Sequence, residues 1–98
     1  MIVYHGSSEI VDAPDVLHSY RPLDFGMGFY VTTLEVQAAR WARRKTALLG
    51  KGKAFVNRYQ MEENTDSFRV KTFYDQIAFI TQRAIDGLLV YDSCFEVL

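Results

Sequence analysis

The segment Asp24-Phe25-Gly26-Met27-Gly28-Phe29-Tyr30-Val31-Thr32-Thr33 constrains this chain more than any other. Glycines on both sides of Met27 allow a tight turn or a close backbone approach, because they carry no Cβ. Phe29, Tyr30, Val31 and Thr32 are aromatic or β-branched and predict a strand. Thr32 stands three residues before Glu35, the spacing of a capping box that opens a helix. Turn, strand and capped helix in succession put Tyr30 at a strand-to-helix junction, where ligands often sit. Leu34, Ala38, Trp41, Ala42 and Leu48 carry the helix to about Leu49, opposite Glu35, Arg40, Arg43 and Arg44. Gly50-Lys51-Gly52 supplies a C-terminal stop.

Three nucleotide-site motifs fail in this region. Asp24-Phe25-Gly26 has no glycine loop, lysine strand or His-Arg-Asp loop beside it, and 98 residues cannot hold a kinase. Gly26-Met27-Gly28 begins like a dinucleotide fingerprint, but Val31 occupies the place of its third glycine. Gly52-Lys53-Ala54 lacks the Ser or Thr that a phosphate loop requires.

Charge and cysteine content exclude further classes. Eleven basic and twelve acidic residues leave a net charge of −1, so no global field recruits nucleic acid. The local cluster Arg40, Arg43, Arg44 and Lys45 reads as a solvated helix face complementing the helix C-terminus. Cys94 is the only cysteine and neither His5 nor His18 has a partner at ligand spacing, so no metal site is expected. The N-terminus does not have the pattern of a signal peptide, and no apolar run approaches the ~20 residues of a bilayer span. A soluble, cytoplasmic chain follows as the expectation, and its 49% apolar content is enough for one core.

Along the chain, Ile2-Val3-Tyr4-His5 predicts a first strand closed by Gly6-Ser7-Ser8. Residues 10–18, with Pro14, predict an irregular connection with one helical turn near Asp15. Residues 54–61 and 68–73 alternate around a polar turn and predict a hairpin. Residues 76–81 are apolar on both faces and predict a buried strand. Thr81 can cap a short helix ending near Gly87, before a terminal strand bent at Asp92-Ser93. The expected class is α+β, with five or six largely antiparallel strands and one substantial helix.

Three motifs together point to a family. Tyr4-His5-Gly6-Ser7, the run Asp24 to Thr32 followed by Gln37-Ala38-Ala39-Arg40-Trp41-Ala42, and Gln76-Ile77-Ala78-Phe79 occur in that order. The chain resembles a bacterial family of uncharacterised proteins related to the His–Tyr–Glu ADP-ribosyltransferases, the diphtheria-toxin and poly(ADP-ribose) polymerase lineage. The likeness covers the first two-fifths of the chain and its last quarter. It implies a single domain over residues 1–98 with an ADP-ribosyltransferase-like fold, two small sheets meeting at a cleft beside one main helix. It also implies NAD as substrate, with His5, Tyr30 and Gln76 in the catalytic positions. The contacts to NAD would come from His5, Gly6, Ser7, Arg21, Gly28, Tyr30 and Trp41. His5 would hold a ribose hydroxyl, Gly6 would pair its backbone with the nicotinamide amide, and Tyr30 and Trp41 would sandwich the ring.

Each residue also has a plainer explanation. His5 suits a strand end with a satisfied hydrogen bond, Tyr30 and Trp41 suit a core, and Gln76 suits a strand facing a loop. Gln76 departs from the glutamate of the well-known enzymes, since its amide can hydrogen-bond but is no base. The resemblance also implies inserted helices between the positions of Phe73 and Gln76, which this sequence does not have room for. Either this is a short form or a segment between 73 and 76 is absent. The expected function is ADP-ribosyl transfer to a macromolecular acceptor, as the toxin of a toxin–antitoxin system with an antitoxin partner. The alternative is a non-catalytic module that binds NAD, ADP-ribose or a protein. Membrane association is not expected.

Overall fold

Six strands and two helices make up the regular structure of a computed structural model that describes residues 1–16 and 28–98. Arg21 and residues 24–27, where the sequence predicts a turn, lie outside the described residues. The elements are β1 (Ile2–Ser7), β2 (Phe29–Thr32), α1 (Glu35–Leu49), β3 (Ala54–Met61), β4 (Val70–Phe73), β5 (Gln76–Phe79), α2 (Gln82–Leu88) and β6 (Leu89–Val97). The strands form one antiparallel sheet in the order β4-β5-β2-β1-β3-β6. The α+β class is as expected, but the two separate sheets are not: β1 and β2 join the halves through Tyr4 opposite Thr32.

Alternation along the strands gives the sheet two different faces. Val3, Phe29, Val31, Tyr59, Ile77 and Phe79 point to one side, where Ala84, Ile85 and Leu88 of α2 and Val11 complete the core. The other side carries α1, whose wholly buried residues are Ala38 and Ala42. A Cβ on Gly6 would lie 2.0 Å from the Ala38 carbonyl oxygen and 2.8 Å from the Ala42 nitrogen. Helix and strand therefore touch backbone to backbone, which only glycine at this position permits. Leu34 and Leu48, assigned to the inner face from periodicity, are exposed. The contact stripe is made of small residues, so the largest apolar side chains do not mark it.

The hairpin expected from residues 54–61 and 68–73 does not form. β3 lies between β1 and β6, and β4 pairs with β5 at the far edge of the sheet. Alternation identifies a strand but not its partner, and β3 is buried enough to need neighbours on both sides. β5 is the buried strand expected, between β4 and β2. Phe73 pairs with Gln76, so Tyr74 and Asp75 form a two-residue turn, Tyr74 with φ 55°. The place at which the chain reads as a short form or as lacking a segment is a tight hairpin.

Helix ends divide likewise. Gly50 closes α1 at φ 72°, with its N–H donating to Thr46 and Ala47 carbonyls, as the sequence implied. Thr81 caps α2 by accepting from the Ala84 N–H at 3.2 Å. Thr32 does not cap α1: it ends β2, and the N-cap is Leu34. Its hydroxyl accepts from the Leu34 N–H at 3.1 Å and donates to Gln37 Oε1 at 2.7 Å. The bend foreseen at Asp92-Ser93 is a bulge within one strand, because Arg58 faces Ser93 while Tyr59 faces Tyr91. Asp92, the extra residue, is held by Arg58 at 3.0 Å.

Candidate functional site at the junction of β1 and β2

The register of three adjacent strands locates the motif residues. Met1 and Met61 exchange both main-chain hydrogen bonds, at 2.8 and 2.9 Å, which fixes the phase of the β1–β3 ladder. Odd-numbered residues of β1 therefore bond toward β3, and the main-chain groups of Tyr4 and Gly6 point toward β2. On the other side, the Thr33 N–H donates to the Asp75 carbonyl at 3.0 Å and sets the phase of β2 against β5. Main-chain groups of Thr32 and Tyr30 consequently point back toward β1.

Tyr4 and Thr32 face one another, and the next rung would join Gly6 to Tyr30. The ladder stops before it. Two side chains take over the carbonyl oxygens: His5 Nδ1 donates to the Tyr30 oxygen at 2.7 Å, and Lys45 Nζ donates to the Gly6 oxygen at 2.7 Å. Since a carbonyl can only accept, His5 carries a proton on Nδ1. Its ring stacks on Phe29 with centroids 4.2 Å apart. His5 thus links β1 to β2 across this seam, while Lys45 ties α1 to β1.

Gln76 faces Thr32 and Tyr30 faces Ala78, so Tyr30 and Gln76 share one face of neighbouring strands, two residues apart. His5 lies on the other face, with Phe29 and Asn57, and meets Tyr30 only through the main chain. The side chains of His5, Tyr30 and Gln76 therefore do not converge in one cleft, although their strands are adjacent. The period-2 pleat separates them. His5 and Tyr30 are each only 4% exposed, while Gln76 and Trp41 are half-buried. Ser7 ends β1 and accepts from the Glu9 N–H at 3.4 Å. Gly28 packs on β5, where a Cβ would come within 2.8 Å of the Phe79 oxygen. Arg21 is outside the described residues.

Gly6 was expected to be side-chain-free for a ligand, but its Cβ direction is filled by α1. Only its main-chain edge faces the seam. A separate depression of about 420 Å³ lies at the start of α1, between the motif residues Tyr4, Gln37 and Arg40 and the neighbouring Thr33 and Leu34, and none of the expected catalytic or NAD-contacting residues lines it. Among the described residues no group of three metal-ligating side chains comes together, and no helix is long and apolar enough to cross a membrane.

Two residues escaped the sequence reading. Lys45 was grouped with the solvated arginines. Arg40, Arg43 and Arg44 are indeed exposed, yet Lys45 turns inward, and the last turn of α1 holds no basic residue. Burial lowers the Lys45 pKa from 10.5 to about 8. Its place three residues after Ala42, on the stripe that meets β1, was the available signal. Asn57, fully buried in β3, donates to the His5 and Glu9 carbonyls at 3.3 and 3.2 Å and accepts from the Val11 N–H at 2.8 Å. It fixes the strand end that carries His5.

Residues 1–78 match the family described as protein of unknown function (DUF3990). The chain belongs to that family. The match takes in β1, the seam, α1 and the first three residues of β5, and stops before α2 and β6. No curated protein and no solved structure matches the chain.

Proposed function

We propose that this DUF3990 domain binds NAD against the seam between β1 and β2 and transfers ADP-ribose from it to a macromolecular acceptor. The observation that carries the reading is the strand register. Motif residues far apart in sequence, Gly6 and Tyr30, turn main-chain polar groups toward each other from adjacent strands, with Gln76 on the adjoining strand. A planar amide has the donor and acceptor that such main-chain groups recognise. The resemblance to the His–Tyr–Glu transferases supplies the chemistry.

In that chemistry the bond between the ribose C1′ and nicotinamide breaks, and the electron pair leaves with nicotinamide. The acceptor's nucleophile then forms the new bond to C1′. Gln76 would orient a ribose hydroxyl through its amide and could not accept the nucleophile's proton. The acceptor must supply its own base or react without one. The same resemblance makes a toxin restrained by an antitoxin the working biological context.

A second reading rests on a specific observation. The neutral Gln76, together with the burial of His5 and Tyr30, suits a module that binds NAD or ADP-ribose without cleaving it. Calorimetric titration with NAD, followed by measurement of released nicotinamide, separates the two. Binding with release is the expected result. Binding without release supports the module, and absence of binding to NAD, and to ADP-ribose titrated in the same way, refutes both.

A further inference from the structure

The hairpin of β4 and β5 holds two rings toward solvent. Tyr74 is 86% exposed and Phe73 49%, and the rings meet edge to face with centroids 4.5 Å apart. Tyr74 also stands at φ 55° in the two-residue turn, a backbone that Gly or Asn adopts with less strain. Neither turn geometry nor burial therefore explains a tyrosine at this position. Strained backbone of this kind clusters at functional sites. Cations accompany the rings. Lys71 shares a face of β4 with Phe73, and Arg69 immediately precedes the strand; both are exposed. No ion pair holds either cation among the described residues. The turn's own carboxylate, Asp75, instead accepts from the Thr33 hydroxyl at 3.5 Å.

Position ties this edge to the proposed site. Phe73 pairs with Gln76 and Gln76 with Thr32, so Phe73 lies beside Gln76 on the face that Tyr30 shares. Four residues make a short edge strand, and a lysine within it opposes pairing with an incoming strand. The edge is thus poorly suited to an extended peptide. Exposed rings beside free cations suit unpaired bases and their phosphates.

We infer that the β4–β5 hairpin binds single-stranded nucleic acid, with bases stacked on Phe73 and Tyr74 and phosphates at Lys71 and Arg69, and that this strand is the acceptor. The second half rests on the proposed ADP-ribosyl transfer, whereas the first half does not. A net charge of −1 supplies no long-range attraction, so stacking provides most of the affinity. The neutral Gln76 suits such an acceptor, because phosphate oxygens and unprotonated ring nitrogens need no base. One of these atoms forms the bond to C1′ while the bond to nicotinamide breaks. The electron pair leaves with nicotinamide, and no proton moves.

The test titrates the full chain into a terminally phosphorylated, fluorescein-labelled single strand of mixed sequence, about twelve nucleotides long, read by anisotropy. The matching duplex is the comparison, and the variants are Tyr74→Asn, Phe73→Thr and Lys71→Gln. Asn suits the left-handed turn, so Tyr74→Asn should unfold at the wild-type urea midpoint or above it. Its loss of binding is then not a loss of fold, and it decides the matter should Phe73→Thr fail to fold. Each ring variant should weaken binding about ten-fold, the loss of one stacked base. Two phosphate contacts predict a slope of roughly −1.4 in log K against log salt, and Lys71→Gln should halve it. NAD is then added, and nicotinamide release and the mass of the strand are measured. A gain in mass equal to one ADP-ribose is expected. Absence of binding, equal binding by wild type and the folded ring variants, or a duplex bound as tightly as the single strand overturns the inference. Nicotinamide release with the bound strand unmodified overturns its role as acceptor and leaves the proposed function standing. A bound strand with no nicotinamide release keeps the hairpin as a binding surface and refutes the transfer.

Discussion

Replacing Gly6 by alanine tests the contact on which the whole arrangement depends. The new methyl carbon would sit 2.0 Å from the Ala38 oxygen, 3.0 Å from the Ala38 carbonyl carbon and 2.8 Å from the Ala42 nitrogen. Ordinary contact begins near 3.4 Å, so α1 must retreat by about 1.4 Å at Ala38. All three obstacles are helix backbone, and no side-chain rotation relieves them. Overpacking typically costs 1–3 kcal/mol, and a backbone clash belongs at the upper end. The retreat would also lengthen the Lys45 bond to Gly6. A loss of about 3 kcal/mol removes much of the stability of a domain this small. With a urea m-value near ~1 kcal/mol/M, the unfolding midpoint should fall by roughly 3 M. Thermal unfolding should drop by roughly 12–24 °C. Urea titration followed by circular dichroism measures the first quantity directly. A midpoint within about 0.5 M of wild type, with helix content intact, would mean that α1 does not rest on Gly6.

Other perturbations read different parts of the structure. Asn57→Ala strands the Val11 N–H and removes the amide's bonds to the His5 and Glu9 carbonyls, and should cost roughly 3 kcal/mol in urea unfolding. A loss below about 1 kcal/mol would show that water replaces the amide. Lys45 titrates near 8 in the folded chain against 10.5 unfolded, so between those values the unfolded chain binds more protons. Stability should therefore rise with pH across that window in wild type, and that increment should vanish in Lys45→Met. Under the proposed function, a folded Tyr30→Ala should lose an aromatic platform worth roughly 0.5–1.5 kcal/mol in NAD binding, which Tyr30→Phe retains. Gln76→Ala should lower nicotinamide release more than affinity, and Gln76→Glu should raise it by stabilising the positive sugar. Equal NAD binding and release by all these folded variants would remove the seam from consideration as the NAD site.

Local chemistry determined much of this protein from sequence alone. Gly50 was marked as the end of α1, because the left-handed turn there strains any residue with a Cβ. Thr81 had to open α2, because an N-cap needs only a hydroxyl three residues before an amide. The apolar run of β5 required burial on both faces. The three motifs that carry the family resemblance were equally legible, because each is a short contiguous string.

Pairing was not legible, because sequence alternation carries no information about which strand lies alongside. Residues 54–61 and 68–73 looked like a hairpin, yet three other strands separate them in the sheet. Faces were also decided late: His5 and Tyr30 are both motif residues, but the register places their side chains on opposite sides of one sheet. Thr32 has the spacing of a cap and lost that role because the Tyr4 and Gln76 pairings hold it in β2. Lys45 shows the limit most plainly. In sequence it is the last of four cations around Arg44, and only the close approach of α1 to Gly6 turns it from solvent to a main-chain oxygen. Short-range preferences determine where elements begin and end, whereas contacts between distant segments determine which polar groups meet, and the candidate site consists of such contacts.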